Sequence, residues 1–128
     1  MIERGIKGRR EQTVTPEMSA ARVGSGLVDV FATPMLVALV EQTCYESVLP
    51  HIEEGQGTVG TLVNISHVSA TPVGKRVWCE SELVEVDRRR LVFSVKAYDD
   101  CGLIGEGMHE RFVIDTAKFM DKLKSKNG

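Results

Sequence analysis

A long apolar helix followed by four long strands predicts an α+β fold in which a curved antiparallel sheet wraps one central helix. Three observations carry that reading. The run "TPMLVALVEQTCYESVL" at 33–49 is long and apolar enough to be a buried helix. Four later segments mix β-branched and polar residues in near alternation. Only short turn signals, "TPVG", "RRR" and "DDCG", separate them.

Each element follows from local chemistry. Residues 1–10 read as a loose, charged start, "EQTVT" at 11–15 as a short strand, and 16–26 as a small-residue loop. Thr33 offers a hydroxyl to cap free N–H groups, and Pro34 suits the first helical position. The helix is expected to run to about Leu49 and stop at Pro50, with "EEGQG" as its exit. Strands are expected at 58–70, 75–87, 91–98 and 103–115, then a short lysine-rich helix, "TAKFMDKLKSK". Short links between long strands favour an antiparallel meander. One helix must cover the whole sheet, which is the layout of a hotdog fold with about five strands, in a single domain over 1–128. An edge strand and one sheet face stay open, so a homodimer formed through the sheet is expected, with tetramers as a further step.

Composition narrows the function. Lys and Arg number 16 against 18 Asp and Glu, a formal net charge of −2, without the basic excess of a nucleic-acid binder. No apolar run approaches the roughly 18 residues that cross a bilayer. The charged start "MIERGIKGRREQ" lacks the apolar block of a secretory signal. Cys44, Cys79 and Cys101 are odd in number and form no CxxC pair, which points to reduced thiols in a cytoplasm.

Within the helix, Glu41 needs a reason. A carboxylate taken out of water costs several kcal/mol unless it is paired or protonated. At about 100° per residue, Val37, Ala38, Cys44, Tyr45 and Val48 share its side, while Gln42, Thr43, Glu46 and Ser47 fall opposite. Glu41 is therefore expected at the centre of the apolar face, largely desolvated. A structural ion pair is the plain alternative. Alternation along 58–70 sets Val59, Thr61, Val63, Ile65 and His67 in one inward row. His67 on that row fits either a core histidine bonded to backbone or the partner of Glu41 in an acid–base pair. Thr33 lies two turns before Glu41, so its hydroxyl can serve the same cavity as well as the cap. Gly60 either presents its N–H to a carbonyl oxygen or marks a bend.

These residues, in this order, resemble the hotdog-fold acyl-CoA thioesterases of the fluoroacetyl-CoA thioesterase-like family. The resemblance rests on "VFAT" at 30–33, "LVEQTC" at 39–44, "EGQGTVGT" at 54–61, "SHVSATPVG" at 66–74 and "GEGMHERFVI" at 105–114. It implies hydrolysis of an acyl-CoA thioester, with Thr33, Glu41 and His67 as catalytic residues and Gly60 positioning the thioester. Arg111 and Leu27 join Gly60 as expected substrate-binding positions. The family's namesake closes its site with an aromatic-bearing segment before the helix. Here that segment is "ARVGSGLVD", with Gly24 and Leu27 about where phenylalanines would stand, which implies a wider or different acyl pocket. Glu41 would activate water or attack the carbonyl itself, and His67 would protonate the departing thiolate.

The remaining signals are weaker. Arg88–Arg90 read as a solvated turn, or as contacts for the phosphates of coenzyme A. His109 shares a strand face with Arg111, as an interstrand pair or as support for the site. His51 sits at the helix exit, and Cys44 reads as a buried, inert thiol. The scattered histidines suggest no metal site, and no cofactor is expected beyond the coenzyme A of the substrate. Two rival readings remain: a hotdog hydratase or dehydratase acting on the acyl chain, and a non-catalytic acyl-CoA-binding module.

Overall fold

In the computed structural model, which describes residues 2–127, strand β1 (Lys7–Thr13) leads through a 3-10 turn and the single-turn helix α1 (Ala20–Val23) to the long helix α2 (Thr33–Val48). Strands β2 (Gln56–His67), β3 (Arg76–Asp87), β4 (Arg90–Asp99) and β5 (Gly102–Asp115) follow, and helix α3 (Thr116–Asn127) ends the chain. The five strands form one antiparallel sheet in the order β1-β3-β4-β5-β2, with α2 packed across it. This is the hotdog arrangement.

The core is the interface between α2 and the sheet. Leu36, Leu39, Val40, Cys44 and Val48 meet Val77, Cys79, Leu83, Leu91, Phe93, Val95, Ala97 and Ile104 there. Each such large side chain taken from water contributes about 1.5–3 kcal/mol. Two glycines let the helix lie close. A Cβ on Gly8 would stand 2.7 Å from Ser47 Cβ, and one on Gly105 would stand 2.9 Å from Leu36 Cδ2. The outward residues of the sheet, among them Glu80, Glu82, Lys96 and Glu106, are exposed.

Three expectations need correction. The sequence reading leaves residues 1–10 loose and starts a strand at 11, whereas β1 begins at Lys7. The "KGRREQT" of β1 lacks an apolar row because this edge strand turns Gly8, Arg10 and Gln12 inward. The stretch 16–26, read as loop, contains the 3-10 turn and α1. The meander holds for β3-β4-β5, but β2 pairs with β5 rather than with its sequence neighbour β3. Residues 68–75 are therefore a crossover rather than a hairpin turn. Phe31 N–H to Thr71 carbonyl (2.8 Å) and the buried Thr71 hydroxyl to Asp99 (2.8 Å) hold that crossover in place.

Candidate active site

The start of α2 makes the first half of the site. Ala32, not Thr33, occupies the cap position, and Thr33 and Pro34 are the first helical residues. The expected cap role of the Thr33 hydroxyl is not realised. It lies instead 2.8 Å from Nδ1 of His67, at the far end of β2. Burial holds His67 below its ordinary 6.5, against a smaller opposing contact with the Ser69 backbone, so the ring is neutral at neutral pH. The His67 Nε2 is covered and has no hydrogen-bond partner among the described residues. Phe31, which is buried, meets the ring edge-on at 6.5 Å. A cavity of about 280 Å³ runs beside these residues, lined by Phe31, Thr33, His67 and Val68. Larger hollows of about 520 and 540 Å³ lie on the opposite, β1 side and involve neither Thr33 nor His67.

Glu41 builds the second half, and its position departs from expectation. The buried face of α2 is centred on Leu36, Val40 and Thr43, so Glu41 emerges at its edge with 41% of its side chain exposed. Thr43, expected on the polar side, is buried and gives its hydroxyl to the Leu39 carbonyl at 2.7 Å. Glu41 and His67 make no hydrogen bond to each other in this chain. The carboxylate faces Arg111 on β5, whose Nη1 stands 3.5 Å from Oε2.

Arg111 is the residue whose importance periodicity understates. Its side chain is only 7% exposed, and a guanidinium there must be satisfied locally. Nε donates to Thr58 Oγ1 at 2.8 Å, Nη2 to the Thr58 carbonyl at 3.0 Å, and Nη1 to Nε2 of the fully buried His109 at 3.2 Å. Tyr45, one turn after Glu41, lays its ring 5.7 Å from the guanidinium carbon. Burial works against the charge of Arg111, and the Glu41 carboxylate is the largest influence opposing that.

Gly60 connects the two strands of this half. It pairs with Arg111 across the β2–β5 ladder, just before a register shift between Gly60 and Leu62. A Cβ at Gly60 would reach 2.9 Å from Glu41 Oε2 and 3.4 Å from Arg111 Nη1. Only a glycine leaves that space open. The bulge also splits the row expected from alternation. Val63, Ile65 and His67 keep the helix side, since Val63 pairs with inward His109, but Thr58 and Gly60 replace Val59 and Thr61 there. The residue that sequence reasoning missed is therefore Thr58, the partner of Arg111, hidden by the bulge, one extra residue that simple alternation overlooks.

Other expected positions fall outside this cluster. Leu27 is 96% exposed and does not line the Thr33–His67 cavity within the single chain. Arg88 and Arg89 form the β3–β4 turn, with Arg88 at φ 59°, and Arg90 pairs with Glu85 and Glu110. Cys44 is fully buried, its thiol pushed far up by burial, and neighbouring Cys79 is pushed up to about 11. Neither thiol is a nucleophile near neutral pH.

Solved structures share this architecture closely. The fluoroacetyl-CoA thioesterase FlK aligns with a TM-score of 0.93 at 33% identity, covering 98% of each chain. A thioesterase-superfamily protein of Thermus thermophilus aligns with a TM-score of 0.91 at 29% identity, over 99% of this chain and 94% of its own. Fold and relatives define a hotdog thioesterase, an enzyme that hydrolyses thioesters. In sequence, a fluoroacetyl-CoA thioesterase of Streptantibioticus cattleyicolor is 42% identical over 98 residues, 77% of this chain and 70% of that protein. The family model for fluoroacetyl-CoA-specific thioesterase matches residues 14–117, and the chain belongs to that family.

Proposed function

We propose that this protein hydrolyses a small or medium acyl-CoA thioester to the free acid and coenzyme A, with Thr33, Glu41 and His67 as its catalytic residues and no further cofactor. The observation that carries the reading is that helix α2 and the sheet face under it together present a hydroxyl–imidazole pair and a carboxylate held by a buried arginine. Glu41 takes a proton from water as the water oxygen bonds to the carbonyl carbon. The partly open carboxylate supports this role, since water reaches it. The Gly60 N–H and Arg111 Nη1 receive the negative charge that develops on the carbonyl oxygen. Collapse of the tetrahedral intermediate breaks the C–S bond, and the proton that Glu41 took from water passes through the neutral ring of His67, steadied by Thr33, to the departing thiolate.

The working unit is a homodimer formed along β2. That strand is one of the two edges of the sheet, opposite β1, and Leu62 and Val63 on it are each 43% exposed. Two β2 strands paired antiparallel about a twofold axis bring the His67 end of one beside the Thr58–Gly60 end of the other. The acid of one subunit then meets the histidine of the partner subunit, which accounts for their separation within the single chain. Leu27 and Val28, at 96% and 61% exposure, are candidates to cover the acyl group at that junction. With Gly24 and Leu27 in place of bulkier side chains, the acyl pocket accepts more than a two-carbon group. The unpaired thiols Cys44, Cys79 and Cys101 suit a cytoplasmic location, and no helix among the described residues is long and apolar enough to cross a membrane.

A panel of acyl-CoA thioesters, including acetyl- and fluoroacetyl-CoA, assayed with a thiol reagent tests this reading. Multiple-turnover release of free thiol is expected. Chain modification without thiol release would mean a hydratase, and tight binding of intact thioester would mean a binding module.

A further inference from the structure

His109 lies between the strand bulge and Arg111, and the polarity of its two neighbours fixes its state. Nδ1 is 2.8 Å from the Leu62 carbonyl oxygen, which only accepts, so Nδ1 carries the proton. Nε2 is 3.2 Å from Arg111 Nη1, which only donates, so Nε2 is a bare acceptor. The ring is fully buried and stacked on Phe93 at 6.3 Å. Burial holds it below its ordinary 6.5. The Leu62 carbonyl works against that, the Arg111 charge lowers it further, and Glu41 on α2 and Glu110 on β5 are smaller raising influences.

We propose that His109 is a positioning residue: through Nε2 it holds Nη1 of Arg111 toward Glu41 and the space above Gly60. The inference rests on the catalytic role assigned to Glu41. Arg111 Nε and Nη2 are committed to Thr58, so Nη1 is the nitrogen that serves the site, and His109 sets its direction. The chemistry of the acceptor matters. A carboxylate at this place would neutralise the guanidinium and compete with Glu41 for it. A neutral imidazole takes one hydrogen bond and leaves the positive charge to act on Glu41 and on a developing oxyanion. The same ring ties down the Leu62 carbonyl, at the register shift that turns Gly60 and Thr58 inward.

Three replacements separate positioning from packing, each checked for folding by thermal unfolding. Gln can offer an amide oxygen where Nε2 stands; Asn reaches only the Nδ1 side; Leu offers neither. His109→Leu and His109→Asn are expected to lose about tenfold or more in kcat, and His109→Gln to stay within a few-fold of wild type. In an Arg111→Ala background, His109→Leu is expected to cost nothing more, because its effect passes through Arg111. Additive losses, or activity kept by Asn and lost by Gln, would overturn the proposal. Should His109→Leu not fold, the Gln–Asn contrast decides. A readout independent of thioester chemistry is the ¹⁵N NMR signature of the ring, expected to report protonated Nδ1 and bare Nε2 from about pH 7 to 9. Protonated Nε2 would overturn the assignment even if every acyl-CoA were hydrolysed. If no thioester were hydrolysed, the proposed function would fall, and the NMR result would still decide the state of His109.

Discussion

At the scale of single residues, neighbouring groups fix the protonation of the histidines. His67 is held neutral by burial and faces the Thr33 hydroxyl. His67→Ala should lower kcat by at least about a hundredfold, the usual worth of a positioned acid or base, and steady-state thiol release measures it. Buried neutral histidines also set a sign for stability. With folded pKa values below 6.5 for both His67 and His109, the unfolded chain binds protons first as pH falls. Stability is therefore complete above about 6.5 and is lost as pH drops toward the folded values, so Tm should fall between about pH 7 and 5. A Tm that rose on acidification would contradict this assignment. The sequence singled out Thr33, Glu41 and His67, and the fold pairs Thr33 with His67, but the partner of Glu41 was not legible. Its partner Arg111 is 70 residues away in the chain, and only the fold brings them together.

At the scale of elements, the β2 bulge is the feature that builds the site. Strand periodicity of two made β2 to β5 readable in the sequence, with ends within a few residues of those observed. One inserted residue was enough to hide which side chains of β2 face the helix. The first residues of β1 were not readable because the strand carries no apolar row, nor was the β2–β5 pairing, because sequence neighbours usually pair first. Gly60 tests the element directly. In Gly60→Ala the new methyl meets the flexible end of Glu41, not backbone, so the fold has room to adjust. The variant should unfold within a few degrees of wild type yet lose about tenfold or more in kcat/KM, since small displacements of a reacting group are costly. A variant with unchanged kcat/KM would remove Gly60 from the site.

For the whole molecule, the proposed twofold dimer with shared sites rests on the exposed β2 edge and on the separation of Glu41 from His67 within one chain. Light scattering should find twice the mass of the chain. Complementation then asks where the sites are. Glu41→Gln and His67→Ala proteins, each inactive alone, should regain about a quarter of wild-type activity when mixed and re-equilibrated, because half of the dimers carry one intact site. No recovery would put both residues of a site in one subunit.

The central claim is that Glu41 drives attack on the thioester. Its most direct test is the kcat of Glu41→Gln on the best acyl-CoA substrate, with folding checked by circular dichroism. A folded variant slowed by at least about a hundredfold is the predicted result. Near-wild-type turnover by a folded Glu41→Gln protein would contradict it.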